Sequence, residues 1–459
     1  MTDTLAMTPR RFPVTMGQRI FDKFQRGYVM FAFLVYEGTF ISSLRYLRGS
    51  DDLLPGQTDP SSTVAQAIIL TILCWMWWLR RRYLLPVMRD IFPYLLIIGL
   101  CALSALWSDY PFPTVRRSVT LSSCVFFGAY CYVQFGLKGT LELMGRATVI
   151  AAILSIATFY LMPSVGHETA QGYEGAMRGV FAQKNQMAQS MLLASTWYIY
   201  RLIDNPKAVV RPLLCLALLY ACIFMNQSAT SLVIGVIAAS VGAIFWSEAN
   251  WRRRMLVVYL LVVGFIFAAA FTLIDTAQLL AVLNRDPSFT GRFPLWGYSI
   301  QAAMDRPWLG YGFSGFWNED SPVVQTIWAA IDWKAPSAHN GYIDILLQIG
   351  VVGMILYVWV WSSIIGNSLL AWWQRTLPEA RWLLLFMLVN LLLNLDEGPL
   401  PYPDQFTVLM PGSILLLRSW RRERAFAASA AAALRRAATS GGLAVTRGMP
   451  PRGMAQRVR

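Results

Sequence analysis

One histidine and a few arginines are the residues of this 459-residue chain whose types and places suit catalysis. His339 stands in Ser337-Ala338-His339-Asn340-Gly341, immediately before an apolar stretch. A helix starting there carries unpaired N–H groups and roughly +0.5 charge at its first turn. That field attracts anions and suits a histidine acting as a base. Gly350 and Gly353 follow 11 and 14 positions later. At about 100° per residue they return close to the face of His339, and small residues there predict the close approach of a neighbouring helix. The competing reading is an ordinary interfacial histidine serving as a cap.

Arg178 lies in Met177-Arg178-Gly179-Val180-Phe181, shortly before Lys184-Asn185. Arg292 follows Thr290-Gly291 and precedes Trp296, and Arg306 opens Arg306-Pro307-Trp308-Leu309-Gly310-Tyr311-Gly312. A guanidinium binds phosphate oxygens as a two-pronged fork, so arginines beside a membrane-facing histidine suit a lipid-linked phosphate or pyrophosphate. Headgroup contact or a loop ion pair is the alternative for each one alone. The chain lacks a Walker-type loop, HExxH, CxxC and an Asp-x-Asp pair, so no metal site and no cofactor are expected. Asp396 and Glu397 are another conceivable acid/base pair, more simply read as solvated. Asp344, one turn after Asn340, has an open role.

Such residues need elements to position them, and composition says which. The chain is 56% hydrophobic and 14% charged, against about 25% charged in a soluble protein. Runs such as 255–274 are long enough for a spanning helix of roughly 20 residues. The net charge of +14 is gathered in short clusters beside apolar runs and in the tail after Arg418. That is the pattern of anionic lipid and positive-inside topology, which argues against nucleic acid as a partner. All six cysteines lie in apolar runs, so neither a disulfide framework nor a zinc site is expected. The first 26 residues are polar and basic without a convincing cleavage site. The first apolar run is therefore expected to be an uncleaved anchor.

The expected fold is an all-α polytopic membrane protein of about twelve transmembrane helices. The spans fall at roughly 27–44, 63–79, 91–107, 118–135, 147–162, 186–203, 212–226, 230–246, 255–274, 341–366, 382–395 and 405–417. The expected division is a cytoplasmic segment 1–26, helices one to nine in 27–274, a large periplasmic loop 275–340, helices ten to twelve in 341–417, and a basic cytoplasmic tail 418–459. Lys and Arg then cluster on the side of both termini. The large loop is rich in Trp, Pro and Gly, which predicts a folded interfacial cap carrying short helices. A smaller outer loop, 163–185, holds His167 and Arg178. The Ala- and Arg-rich tail reads as an interfacial helix with a disordered basic end. Glu37 is the main charge expected well inside a span.

Taken together, His339-Asn340, nine residues and Gly350-x-x-Gly353 resemble the signature of the O-antigen ligase and polysaccharide polymerase superfamily. Leu103–Ser108 ahead of Arg116 resembles its early outer loop, and Arg178 through Asn185 its mid-chain arginine motif. Thr290-Gly291-Arg292 with Trp296, together with Arg306–Gly312, resembles the ExoQ-type exopolysaccharide-production branch. The ordered set covers roughly residues 100–360. This resemblance implies a GT-C-like bundle in the bacterial inner membrane, working at the periplasmic face. Its implied partners are an undecaprenyl-pyrophosphate-linked oligosaccharide, a glycan acceptor, membrane lipids and other polysaccharide assembly and export proteins. Arg178 and Arg292 would hold pyrophosphate and His339 would be the general base. Lys184, Asn185, Arg306 and Asn340 are secondary candidates. Asn226-Gln227-Ser228 departs from the expected pattern and receives no role.

The resemblance covers two reactions. Exopolysaccharide repeat-unit polymerisation is favoured by the ExoQ-like stretches, and O-antigen ligation to lipid A–core is the alternative. A transporter or flippase would place ionisable groups near the bilayer midplane, whereas most here sit at the outer edge. A non-catalytic export scaffold is the third reading.

Overall fold

A computed structural model describes residues 16–39, 59–168, 175–246, 292–395, 398 and 402–441. The expected span 255–274, the first part of the large loop, Asp396 and Glu397 lie outside these residues, as do both chain ends. Helix is the dominant structure among the described residues, which hold two isolated β-bridges and no strand. The chain divides into two units, Met1–Leu415 and Leu416–Arg459.

The first unit begins with α1 (Met16–Tyr36), α2 (Pro60–Asp90) and α3 (Phe92–Leu103). Asp59 caps α2 by accepting from the Ser61 amide at 2.6 Å, and Pro60 supplies a preset φ at its first position. Next comes α4 (Pro111–Leu161), which joins two of the expected spans. It breaks at Gly136, whose φ of 67° and ψ of 177° are non-helical, so the expected connection around Lys138 is wound into helix. A four-residue helix, Pro163–Gly166, precedes the Arg178 loop. Then follow α5 (Lys184–Asp204), α6 (Val210–Met225) and α7 (Ala229–Trp246).

The later part contains α8 (Arg292–Asp305), α9 (Pro322–Ile331), α10 (Gly341–Trp373), α11 (Ala380–Leu393) and α12 (Gln405–Gly441). Ser321 caps α9 through the Val324 amide, and Asp332 ends it in the left-handed conformation. Helices α8 and α9 fold with the start of α10 around a core of their own that includes Leu295, Phe316, Trp317, Trp328 and Leu347. The short helices expected in the large loop are thus present from Arg292 onward.

By length and composition, α2, α4 and α10 are long and apolar enough to cross a membrane. The stretches Phe92–Leu106, Val210–Met225, Thr230–Phe245 and Ala380–Leu393 are shorter apolar helices. These elements fit a multi-pass membrane protein. Glu37 departs from expectation: α1 ends at Tyr36, so Glu37 lies in the turn beyond, buried and accepting from Thr148 Oγ1 at 2.5 Å. In the second unit the helix continues, and residues 421–436 are exposed.

Candidate functional site

His339 owes its place to a chain of local devices. Asn340 caps α10, its Oδ1 accepting from the amides of Tyr342 at 3.1 Å and Ile343 at 3.3 Å. Such a cap contributes about 1 kcal/mol. The Asn340 Nδ2 also donates to the Leu395 carbonyl at 3.2 Å, which ties the cap to the end of α11. Asn340 is thereby accounted for as a cap. His339, one residue earlier, has φ 49°, a left-handed conformation uncommon for a residue with a Cβ and one that needs support from its surroundings.

That support comes from three directions. Asp344 is completely buried, and its Oδ1 accepts from the Ala338 amide at 3.2 Å and from Trp317 Nε1 at 2.8 Å. Its Oδ2 is buried without a hydrogen-bond partner. Trp296, on α8, donates from Nε1 to the Ala338 carbonyl at 2.9 Å. Both polar groups of the residue before His339 are therefore held by side chains from other segments. Finally, the Trp333 ring stacks on the imidazole, with centroids 5.1 Å apart and planes 29° from parallel.

Arg292 is the first residue of α8 and Trp296 lies one turn along. Residues four apart share a helix face, so the bond from Trp296 to Ala338 sets Arg292 on the side of α8 that approaches the His339 loop. Arg306 is engaged differently. It forms an exposed ion pair with Asp109 at 3.1 Å and lies over the ring of the buried Tyr311 at 4.4 Å.

The glycines around this loop have backbone work to do. Gly350 breaks α10, with φ 64° and ψ −166°, so the face count from His339 to Gly350 does not run through a continuous helix. The break leaves backbone groups that pair with the Arg306–Gly312 stretch. Tyr311 and Gly312 amides donate to the Leu347 and Gln348 carbonyls at 2.8 and 2.9 Å. In return, Val351 and Val352 amides donate to the Pro307 and Trp308 carbonyls at 2.8 and 3.2 Å. A Cβ on Gly350 would strike the Trp308 backbone, and one on Gly310 would come within 2.6 Å of the Leu347 carbonyl oxygen. The neighbour that Gly350 admits is this loop rather than a helix.

The early outer loop joins the same assembly. Trp107 Nε1 donates to the Leu309 carbonyl at 3.2 Å, and Ser104 Oγ accepts from the Phe313 amide at 2.8 Å. Gln348, fully buried, accepts from the Ser314 amide at 2.7 Å and donates to the Tyr402 hydroxyl at 3.2 Å. Burial, and secondarily the charge of Asp344, pushes the Tyr402 phenol well above its ordinary range. Arg117 is close enough to oppose that shift. Sequence reasoning missed Gln348, Tyr402 and Arg117, because their grouping is wholly non-local.

Arg178 belongs to a second cluster. It is 8% exposed, and its Nε donates to the Val165 carbonyl at 3.1 Å. Its own amide and that of Gly179 both donate to the Gly166 carbonyl at 2.9 Å. Gly179, at φ 61°, sits where a Cβ would overlap Ser155. Lys184 begins α5, and its amide donates to Glu168 Oε2 at 3.0 Å, while Asn185 follows on the same first turn. The fully buried Asn226 closes the loop, its Nδ2 donating to the Met177 carbonyl at 2.8 Å and the Lys184 carbonyl at 2.7 Å. The residue left without a role thus brackets the arginine motif. None of the contacts named here joins Arg178 to His339.

Comparison with known proteins follows the same stretch of chain. Residues 214–358 match the O-antigen ligase family profile, a segment that contains Arg292, His339 and Gly350. The chain is similar to the exopolysaccharide production protein ExoQ of Rhizobium meliloti, 27% identical over 35% of this chain and 38% of that one. It is also similar to the O-antigen ligase of Pseudomonas aeruginosa, 27% identical over 51% and 53%. A third relative is the general O-oligosaccharyltransferase of Acinetobacter baylyi, 26% identical over 51% and 46%. The chain spans about half or less of the length of these relatives. The matches bear out the resemblance to the O-antigen ligase superfamily, the ExoQ-type branch included.

Proposed function

We propose that this protein is a membrane glycan transferase that moves a glycan from undecaprenyl pyrophosphate to a glycan acceptor at the periplasmic face of the bacterial inner membrane, with both termini cytoplasmic. The observation that carries this reading is the construction around His339: a left-handed histidine fixed on both sides of Ala338 by Asp344 and Trp296. In this reading His339 takes the proton of the acceptor hydroxyl as its oxygen bonds to the anomeric carbon. The bond from that carbon to the pyrophosphate oxygen breaks, and the lipid pyrophosphate leaves with the electron pair. Arg178 and Arg292 hold the pyrophosphate, with Lys184 and Asn185 beside Arg178. Alignment and charge stabilisation supply most of the rate, without a metal or cofactor.

Repeat-unit polymerisation for an exopolysaccharide is the reading favoured by the ExoQ-like motifs. A second reading, transfer to lipid A–core, is favoured by the longer stretch of chain that matches the O-antigen ligase. A deletion strain separates them. Single repeat units left on the carrier with no long polymer support the polymerase. Full-length glycan on the carrier beside bare lipid A–core supports the ligase. Unchanged glycans contradict both.

A further inference from the structure

Trp333 meets His339 with one face while 40% of the residue remains exposed. It lines an open pocket of about 330 Å³ with Gln325, Trp328, Ala329, Asp332 and Lys334. The pocket is built on the end of α9 and the turn after it, within the fold that positions His339. Trp328 forms its buried floor, the indole Nε1 donating to the Ala335 carbonyl at 2.9 Å. The left-handed Asp332, whose amide closes α9 on the Trp328 carbonyl, turns the chain so that Trp333 and Lys334 follow at the rim. Gln325 donates to the Glu319 carbonyl at 2.7 Å. Asp332 and Lys334 are both exposed, and among the described residues neither side chain forms a hydrogen bond or ion pair.

This mixture has a distinct chemistry. A pyranose ring offers a face of C–H groups that packs on an indole, and a rim of hydroxyls that donate and accept. The pocket offers indole surface together with an uncommitted acceptor in Asp332, an uncommitted donor in Lys334 and the Gln325 amide, a mainly apolar lining with a few polar groups that orient a ligand. It holds no arginine fork of the kind that suits a pyrophosphate. Trp333 is shared between the pocket and the imidazole stack, while His339 itself does not line the pocket, so a ring seated there lies one indole away from the imidazole.

From this arrangement we infer that the Trp328–Trp333 pocket is a subsite for a sugar ring of the acceptor glycan, anchoring the glycan next to the ring whose hydroxyl reacts at His339. The inference rests on the proposed glycan transfer and names where the acceptor binds. Asp332 and Lys334 fix the ring by its hydroxyls, and Trp333 is both platform for the sugar and neighbour of the base.

The test uses the purified full chain in detergent and a lipid-free oligosaccharide of one repeat unit cut from the host's own polymer. Calorimetric binding and a transfer assay with lipid-linked donor are run on the unaltered protein and on Asp332→Asn, Lys334→Ala and His339→Ala. Asparagine tolerates the left-handed backbone at Asp332. Loss of one or two hydrogen bonds predicts binding weakened about three- to thirtyfold for Asp332→Asn and Lys334→Ala. Acceptor KM should rise in parallel while donor KM stays unchanged. His339→Ala should still bind the oligosaccharide. Failure of the unaltered protein to bind it, or variants that bind it equally well, overturns the subsite. Retained transfer in His339→Ala overturns the proposed base instead, whatever the calorimetry shows.

Discussion

Asp344 shows how one carboxylate can govern a residue it is not asked to contact. It accepts from Ala338 and Trp317 and so fixes the backbone just ahead of His339. Replacing it by alanine leaves two buried donors without their acceptor, at about 1–3 kcal/mol for each. Asp344→Ala is therefore expected to unfold at a lower temperature and to lose turnover. Asp344→Asn keeps an acceptor oxygen and should lose less of both, since only the charge assistance goes. Thermal unfolding and turnover measured on the pair check this order. Equal turnover in all three proteins would remove Asp344 from the positioning of His339. The sequence made His339 visible because histidine is scarce, with 2 in the chain. It left Asp344 open, because a carboxylate one turn into a helix does not reveal that an indole 27 positions earlier donates to it.

At the scale of elements, the two arginine-bearing motifs are built by different means. Gly350 breaks α10 so that the Arg306–Gly312 loop can pair with its backbone. Alanine there must hold a left-handed conformation and also displace the Trp308 backbone. Gly350→Ala is expected to cost at least about 1–3 kcal/mol from strain alone, with lost transfer activity. An unaltered melting temperature and turnover would show that the loop does not need the break. Asn226→Ala tests the other motif. It abandons the Met177 and Lys184 carbonyls, so the folded state should be destabilised by about 1–3 kcal/mol, and donor KM should rise as Arg178 loses its frame. An unchanged donor KM would detach this bracket from pyrophosphate binding. Apolar runs placed α5, α6, α7, α10 and α11 within a few residues on their N-terminal sides. The breaks at Gly136 and Gly350 were not legible, because a glycine in an apolar run reads equally well as a packing contact. The role of Asn226 is not legible in the sequence, because its partners lie 42 and 49 positions away.

For the molecule as a whole, composition alone announced a helical membrane protein, and the apolar helices agree. It could not announce how distant loops are knitted together. Residues 104–108, 306–317 and 338–352 meet through backbone and side-chain bonds that no local pattern encodes. Asp404, just before α12, gives a global observable. Its Oδ1 accepts from the Thr407 amide at 2.9 Å, yet burial pushes its carboxyl from 3.8 up to about 7, partly offset by its bonds to Thr407. The folded state thus favours the protonated acid. Stability is fully retained below the unfolded value and falls as pH rises towards about 7. Asp404→Asn, which can still cap α12, should melt above the unaltered protein at pH 8, with the gap closing towards pH 4. A gap that is constant across this range, or that reverses, would contradict the assignment.

The central claim is that His339 removes the acceptor proton, and a single-turnover assay tests it most directly. Purified protein, saturated with lipid-linked donor and an oligosaccharide acceptor, is compared with His339→Ala under the same conditions. The account predicts that the rate of glycan transfer falls by about 10²–10⁴-fold while the lipid-linked donor still binds. Transfer at an undiminished rate by a folded His339→Ala protein would contradict it.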